Sequence, residues 1–538
     1  MRPFFSPLFV GVCLALLGAC GDSGGAKPHL GGMPVTPPAP SCNAASGGGS
    51  TTVQAPTLET TYGDRWHEGW LASPAVVDLD ADGTNEIVIA RAEKLLVFHP
   101  DTSIAWSATV SGRIWASPVV ADVVPSHAGL EVAVAARGVI HLYDAHGAEM
   151  PGFPVTWRDE LRSIATGDVD GDGQLELVVV TTSPLNANGQ RDIVHAVNGN
   201  GSVVPGFPPN TTGAAGCDSA CYVTGGYDQN LALGDVDGDS ISDIFATQDN
   251  AYESLHRGDG SAFDAASIFQ GRTKFQGVRF LLDYAEAQQG YSDTESTSNQ
   301  AHFTNSAPAI VDVDGSGSRE LVVLSSVQNA AQTDRYRGVA LWVVNHDGTR
   351  PTDWIDPFHA PDYLAGLWDY DGTNVVAATN QVQVANLFPD RAGPEFVFAG
   401  FDGRIHCVDA RASEIWTYQY TTSARVLTGG VAIADLSGDG TPEIVFSSYS
   451  PDANKSHLFV IDAGGNELHK IPLPTRGSMA VPTVADVNLD GDLEIVVPLK
   501  DAVDHGPMVQ VYTVPGSSTN CMPWPTGRGN LRRDGYVP

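Results

Sequence analysis

The sequence predicts an all-β fold: a β-propeller of four-stranded antiparallel blades, with eight blades favoured and seven possible. Three observations lead there. A short apolar run, an acidic polar loop and a second apolar run rich in β-branched residues return eight times along the chain. Further apolar runs usually follow each pair, as LLVFHP (95–100) and SIAWSATV (103–110) follow the first copy. The spacing of the copies, about 45 residues or more, is long for one rung of a linear β-solenoid and suits a propeller blade.

Taken in order, the chain opens with MRPFFSPLFVGVCLALLGAC, in which one basic residue precedes an apolar stretch and Leu17-Gly18-Ala19-Cys20. Residues 1–19 therefore read as a bacterial lipoprotein signal peptide. Cys20 reads as the lipidated residue that anchors the exported protein to the cell envelope, at the outer membrane or cell surface. Residues 20–56 are rich in Gly, Pro and Ser and read as a partly extended tether. GDSGG at 21–25 matches the string around a serine-protease nucleophile, but a catalytic serine needs a folded base and oxyanion hole beside it. The propeller is expected over 57–538.

Composition limits the partners. Asp and Glu number 63 against 29 Lys and Arg, for a formal net charge of -34. That balance argues against nucleic acid, whose phosphates need clustered cations, while the valine-rich runs exclude a disordered acidic chain. Export permits disulfides. Cys217 and Cys221 are close enough to close a small loop, Cys42 and Cys521 could tie the termini together, and Cys407 in GRIHCVDA reads as a buried free thiol.

The copies span 73–90, 117–136, 163–180, 231–247, 307–324, 382–400, 431–448 and 481–498. The third reads SIATGDVDGDGQLELVVV. Calcium takes six to eight hard oxygen ligands. In such a loop acids at positions 1, 3 and 5 can point inward, a glycine at 6 permits the sharp turn, and an acid at 9 closes the site. That template assigns Asp168, Asp170, Asp172 and Glu176 in the third copy, and Asp78, Asp80, Asp82 and Glu86 in the first. In the fourth it assigns Asp235, Asp237, Asp239 and Asp243, with Ser240 in the glycine's place. The eighth offers Asp486, Asn488, Asp490 and Glu494. The fifth (Asp312, Asp314, Ser316, Glu320) and seventh (Asp435, Ser437, Asp439, Glu443) are weaker. The second and sixth copies carry one extra residue and lack the carboxylates, so no metal is expected there. Six structural Ca2+ sites are the expectation; magnesium, which demands a strict octahedron, fits less well.

The D-x-D-x-D-G-x-x-[DE] loop running into an aliphatic strand resembles the FG-GAP/VCBS repeats of integrin α-like propellers, over about 70–538. The resemblance implies calcium loops and a role in adhesion or recognition. DGRIHCVDARASEIW is also similar to the quinoprotein-type propeller repeat, but the vicinal cysteines that clamp that cofactor are absent.

No HExxH or phosphate-cradling glycine loop occurs, and the histidines are scattered singly. The longest insertions (183–192, 208–230, 270–303, 327–338 and 351–380) fall in connections on the face opposite the acidic loops, where binding loops are commonly placed. Their aromatics, Tyr222, Tyr227, Phe280, Tyr284, Tyr291, Trp354, Tyr363, Trp368 and Tyr370, are candidates for a sugar- or peptide-binding surface. The reading is a non-enzymatic, calcium-stabilised surface propeller that binds a polysaccharide or protein partner. A lyase-like polysaccharide-degrading enzyme with a central cleft and an envelope-complex scaffold are the alternatives. The last segment, CMPWPTGRGNLRRDGYVP, is expected to complete the last blade or pack over the ring seam.

Overall fold

Each repeat copy builds the first two strands of one antiparallel sheet, and eight such sheets stand around a common axis. The computed structural model describes residues 42–64, 67–183, 193–209, 223–289, 299–304, 306–329, 333–334, 336–367, 381–501 and 506–537. Blade 1 has the order Ala75–Val77, Glu86–Arg91, Lys94–Phe98, Ile104–Thr109. Blades 2 and 6 repeat that order. Among the described residues blades 3 and 4 show three strands each, and blades 5 and 7 gain a short extra strand. Eight sheets settle the blade number at eight.

Burial explains the strand order. Second strands such as Glu176–Thr181 (ELVVVT) are buried along their whole length, because both faces of a blade pack on neighbouring blades. Fourth strands such as Ile104–Thr109 and Glu467–Pro472 are mostly exposed at the rim. First strands are buried and touch those of adjacent blades, so they line the axis.

Three tryptophans link one blade to the next. The indole N–H of Trp106 donates to Ala145 O, that of Trp354 to Ala410 O and that of Trp416 to Ala463 O, each at 2.8 Å. A Cβ at Gly147 or Gly465 would lie 2.6 Å from the Trp106 or Trp416 ring, which is why a glycine follows the docking carbonyl. Trp354, expected on a binding insertion, is instead 1 % exposed and packs blade 5 against blade 6. Phe280 is likewise core, against Phe303 and Trp342.

Both chain ends close the ring, in a way the sequence reading did not assign. The N-terminal strand Thr57–Asp64 pairs with Gly506–Val514 and supplies the fourth strand of blade 8. The C-terminal segment 521–537 does not complete that blade; it packs over the inner edges of the blades, the seam included, where Thr526 meets Thr483 of blade 8 and Pro74 at the entry to blade 1. Val120, Thr166, Leu233, Ile310, Ile433 and Val484, all on first strands, donate their amide N–H to carbonyls of this tail. The Arg533 guanidinium donates to Pro118, Ser73, Pro74 and Gly527 carbonyls, and Arg528 to those of Pro308 and Leu231. Edge strands carry unpaired backbone groups that must be satisfied, and the tail satisfies them.

The described part of the expected tether, 42–56, is not free. Cys42 is disulfide-bonded to Cys521 (Cα–Cα 5.3 Å), Ala45 N donates to Gly438 O, Ser50 N to Ser437 O, and Val53 is buried in the core of blades 7 and 8. Cys407 is a buried free thiol. Residues 1–41, with the signal peptide and Cys20, lie outside the described residues, as do Cys217, Cys221, Tyr222, Tyr291, Trp368 and Tyr370.

Candidate metal centres

The third loop shows how its sequence sets its shape. Asp168 accepts the Gly171 N–H at 2.8 Å and the Gly173 N–H at 3.0 Å, Asp170 that of Asp172, and Asp172 that of Gln174. Gly171 and Gly173 have φ of 76° and 85°, the left-handed region that favours glycine. In the fourth loop Ser240 holds the place of Gly173 at φ 71°, and its N–H still donates to Asp235.

Four loops gather three carboxylates each, with oxygens within 4.8 Å of one another: Asp78, Asp80, Glu86; Asp168, Asp170, Glu176; Asp235, Asp237, Asp239; and Asp312, Asp314, Glu320. Asp82, Asp172 and Asp243 stand outside these groups, and Ser316 offers only a hydroxyl. Such convergent hard oxygens suit a divalent cation of calcium's chemistry.

The seventh and eighth loops form no such group among the described residues. In the seventh, Asp435 is buried and accepts from Ser437, Gly438, Gly440 and the Asn520 side chain. Residues 43–50 lie over this loop, with a Cβ built at Gly49 only 2.0 Å from Gly438. Asp439 accepts the Thr441 N–H and Glu443 that of Leu436, as their counterparts do in the other loops. In the eighth, Asn488 donates to Glu59 of the ring-closing strand, Asp490 accepts from Asp492 N, and Asp486 accepts from Gly491 N.

One functional feature escaped the sequence template. The acid that closes the loop does the same job in all eight copies, including the two without metal ligands, where it stands one position later. Glu86, Glu131, Glu176, Asp243, Glu320, Glu395, Glu443 and Glu494 each accept the first amide of their own loop, from Leu79, Val123, Val169, Val236, Val313, Leu387, Leu436 and Val487. Burial raises their pKa: to about 7 for Glu176 and Glu395, and to about 8 for Asp243, Glu320, Glu443 and Glu494. The second oxygen of Glu494 is buried without a hydrogen-bond partner, but so is that of Glu131 and Glu395. The orphan oxygen is therefore a mark of the turn. The discriminating mark of a cation site is the gathering of aspartates, a pair beside this acid in the first, third and fifth loops and three without it in the fourth. The eightfold recurrence of this acid was visible in the sequence, but a template built on ligand spacing read it as a metal ligand first.

Residues 435–497, from the seventh loop into the second strand of blade 8, match the FG-GAP-like repeat family. The match covers part of blades 7 and 8 of an eight-bladed β-propeller. No curated protein matches this chain. Similar solved structures include the V. cholerae biofilm matrix protein Bap1, at 13% identity over 90% of this chain and 96% of that one, TM-score 0.42. Rhamnogalacturonan lyase YesW aligns at 13% identity over 90% and 81%, TM-score 0.47. Quinohemoprotein alcohol dehydrogenase from Comamonas testosteroni aligns at 13% over 86% and 77%, TM-score 0.45. None is near enough to lend this chain its activity.

Proposed function

We propose that the protein is an exported, lipid-anchored surface propeller, stabilised by calcium in its acidic loops, that binds a polysaccharide or protein partner. The observation that carries the proposal is the gathering of three carboxylates in each of four loops on one face. Calcium held by Asp78, Asp80 and Glu86, and by their counterparts in blades 3, 4 and 5, would cross-link each turn and add its binding free energy to folding. The lyase-like alternative placed its chemistry in a central cleft; occupation of the axis by 521–537 weighs against it.

The test uses the full chain. Calcium binding is counted by equilibrium dialysis, and melting is followed with calcium and with a chelator. Retention and depolymerisation are then scored on a panel of polysaccharides and on envelope extracts. Saturable calcium binding, a melt lowered by chelation and retention without cleavage support the proposal. An unchanged melt removes the calcium half, and depolymerisation removes the non-enzymatic half.

A further inference from the structure

On the face opposite the acidic loops, cations and aromatic rings alternate in one continuous stack. Lys500 Nζ lies 3.2 Å from the Trp70 ring centroid. The Arg113 guanidinium sits between Trp70 (4.3 Å) and Trp115 (4.6 Å), and Arg162 between Trp115 (4.0 Å) and Tyr227 (5.3 Å). The stack draws on a turn of blade 8, the entry to blade 1, the 1–2 connection, the first strand of blade 3 and the 3–4 connection. Beside it opens a cleft of about 480 Å3 lined by Arg113, Arg137, Trp115, Glu93 and Glu160, within the size range of small-ligand sites.

From this arrangement we infer that the cleft binds a carboxylated sugar residue, a uronate unit of an acidic polysaccharide. The inference rests on the polysaccharide-binding reading above and names its site and ligand class. Each stacked guanidinium presents its faces to the indoles and leaves its N–H edges for an in-plane acceptor, the geometry that pairs with a carboxylate. Arg162 already has such partners in Glu160 and Asp228. Arg113 and Arg137 have none among the described residues. Gly112, with φ 124°, keeps their connection tight: a Cβ there would lie 2.2 Å from Arg137 Cγ. The indoles hold Arg113 in place before any ligand arrives, so little side-chain freedom is lost on binding.

The two carboxylates in the cleft choose among anions. Glu160 accepts from the Trp115 N–H at 2.7 Å and from Arg162, and Glu93 is half exposed. A dense polyanion would be repelled by both and by the net charge of -34. A uronate brings one carboxylate for the arginines and several hydroxyls that can donate to Glu93 and Glu160, matching both signs at once.

The probe is trigalacturonate, titrated into the full chain at fixed free calcium and followed by tryptophan fluorescence and calorimetry, with galactotriose as its neutral counterpart. Saturable binding of trigalacturonate alone is expected, weakened at least about tenfold by Arg113→Gln, through loss of a charge-assisted pair. Arg137→Gln, an exposed change that leaves the stack intact, is expected to weaken it also, with an unaltered melt. No binding of trigalacturonate, equal binding of galactotriose, or wild-type affinity in both variants overturns the inference. If the polysaccharide panel retains the protein while trigalacturonate fails, the partner-binding proposal stands and this site falls; if neither binds, both fall.

Discussion

Glu395 offers a clean test of the turn that all eight blades share, because its blade lacks metal ligands. The side chain is fully buried, and one oxygen accepts from Leu387 N at 2.8 Å and Phe388 N at 3.2 Å. Burial raises its pKa from 4.5 to about 7, against the opposing pull of Arg391. The sign follows from linkage. Below 4.5 the group is protonated folded and unfolded alike; between 4.5 and 7 only the unfolded chain ionises, so stability falls as pH rises and levels off above 7. At 1.36 kcal/mol per unit the loss is about 3 kcal/mol. Glu395→Gln keeps an acceptor for the two amides and cannot ionise. Every other titration cancels in the difference between variant and wild type. Urea unfolding with calcium present, begun at pH 5.5 to stay clear of the isoelectric point near 4.5, leaves about 2 kcal/mol of that change to be read. The variant's relative stability should therefore climb between pH 5.5 and 7 and then stay level. A difference that is flat across this range would refute the buried-acid account of the turn. Glu395→Ala, which orphans two buried N–H groups, should lose about 2–5 kcal/mol at every pH.

Three further outcomes are expected. Asp168→Asn with Asp170→Asn should lower the calcium count by one in equilibrium dialysis, whereas Asp122→Asn in the second loop should leave it unchanged. Ser240→Gly should stabilise the protein by about 1 kcal/mol in urea unfolding, because it relieves a left-handed backbone that favours glycine. Arg533→Met removes hydrogen bonds to four carbonyls that line the axis and should cost at least about 3 kcal/mol by the same assay.

The blades were legible because the information is local. A strand, a tight acidic turn and a second strand lie within about 20 residues, and the turn chemistry of Asp and Gly repeats. The loop acids were legible for the same reason, and the gathering of Asp168, Asp170 and Glu176 follows their spacing. What failed was long-range. Nothing in LETTYGD says that it will pair with a strand some 450 residues away. Nothing in CMPWPTGRGNLRRDGYVP says that two arginines will be spent on backbone carbonyls rather than on solvent. The seventh loop, whose own sequence is a fair metal template, is met by Asn520 and residues 43–50 from both chain ends, contacts its local sequence does not announce. Trp354 was misread because a tryptophan that docks between blades and one that faces a ligand have the same local sequence signal.

The way the ring closes bears on where a partner can bind. Eight first strands turn their inner edges to the axis, and an axis left to water would have to hydrate those backbone groups in a confined space. The tail replaces that water on six first-strand amides, and its two arginines fill the remaining carbonyls with donors that cannot lose their charge near neutral pH. A ligand could enter only by displacing these bonds together, because the tail is fastened at its start by the Cys42–Cys521 disulfide and at its end by pairing of Val537 and Ile310. That leaves the two faces and the rim as the surfaces open to a partner. One face is given to acidic turns, whose charge repels anions unless cations occupy them. The other holds Arg113 and Arg137 in a cleft braced by indoles. For an acidic chain that takes an anionic ligand, that second face is the one where electrostatics and shape agree.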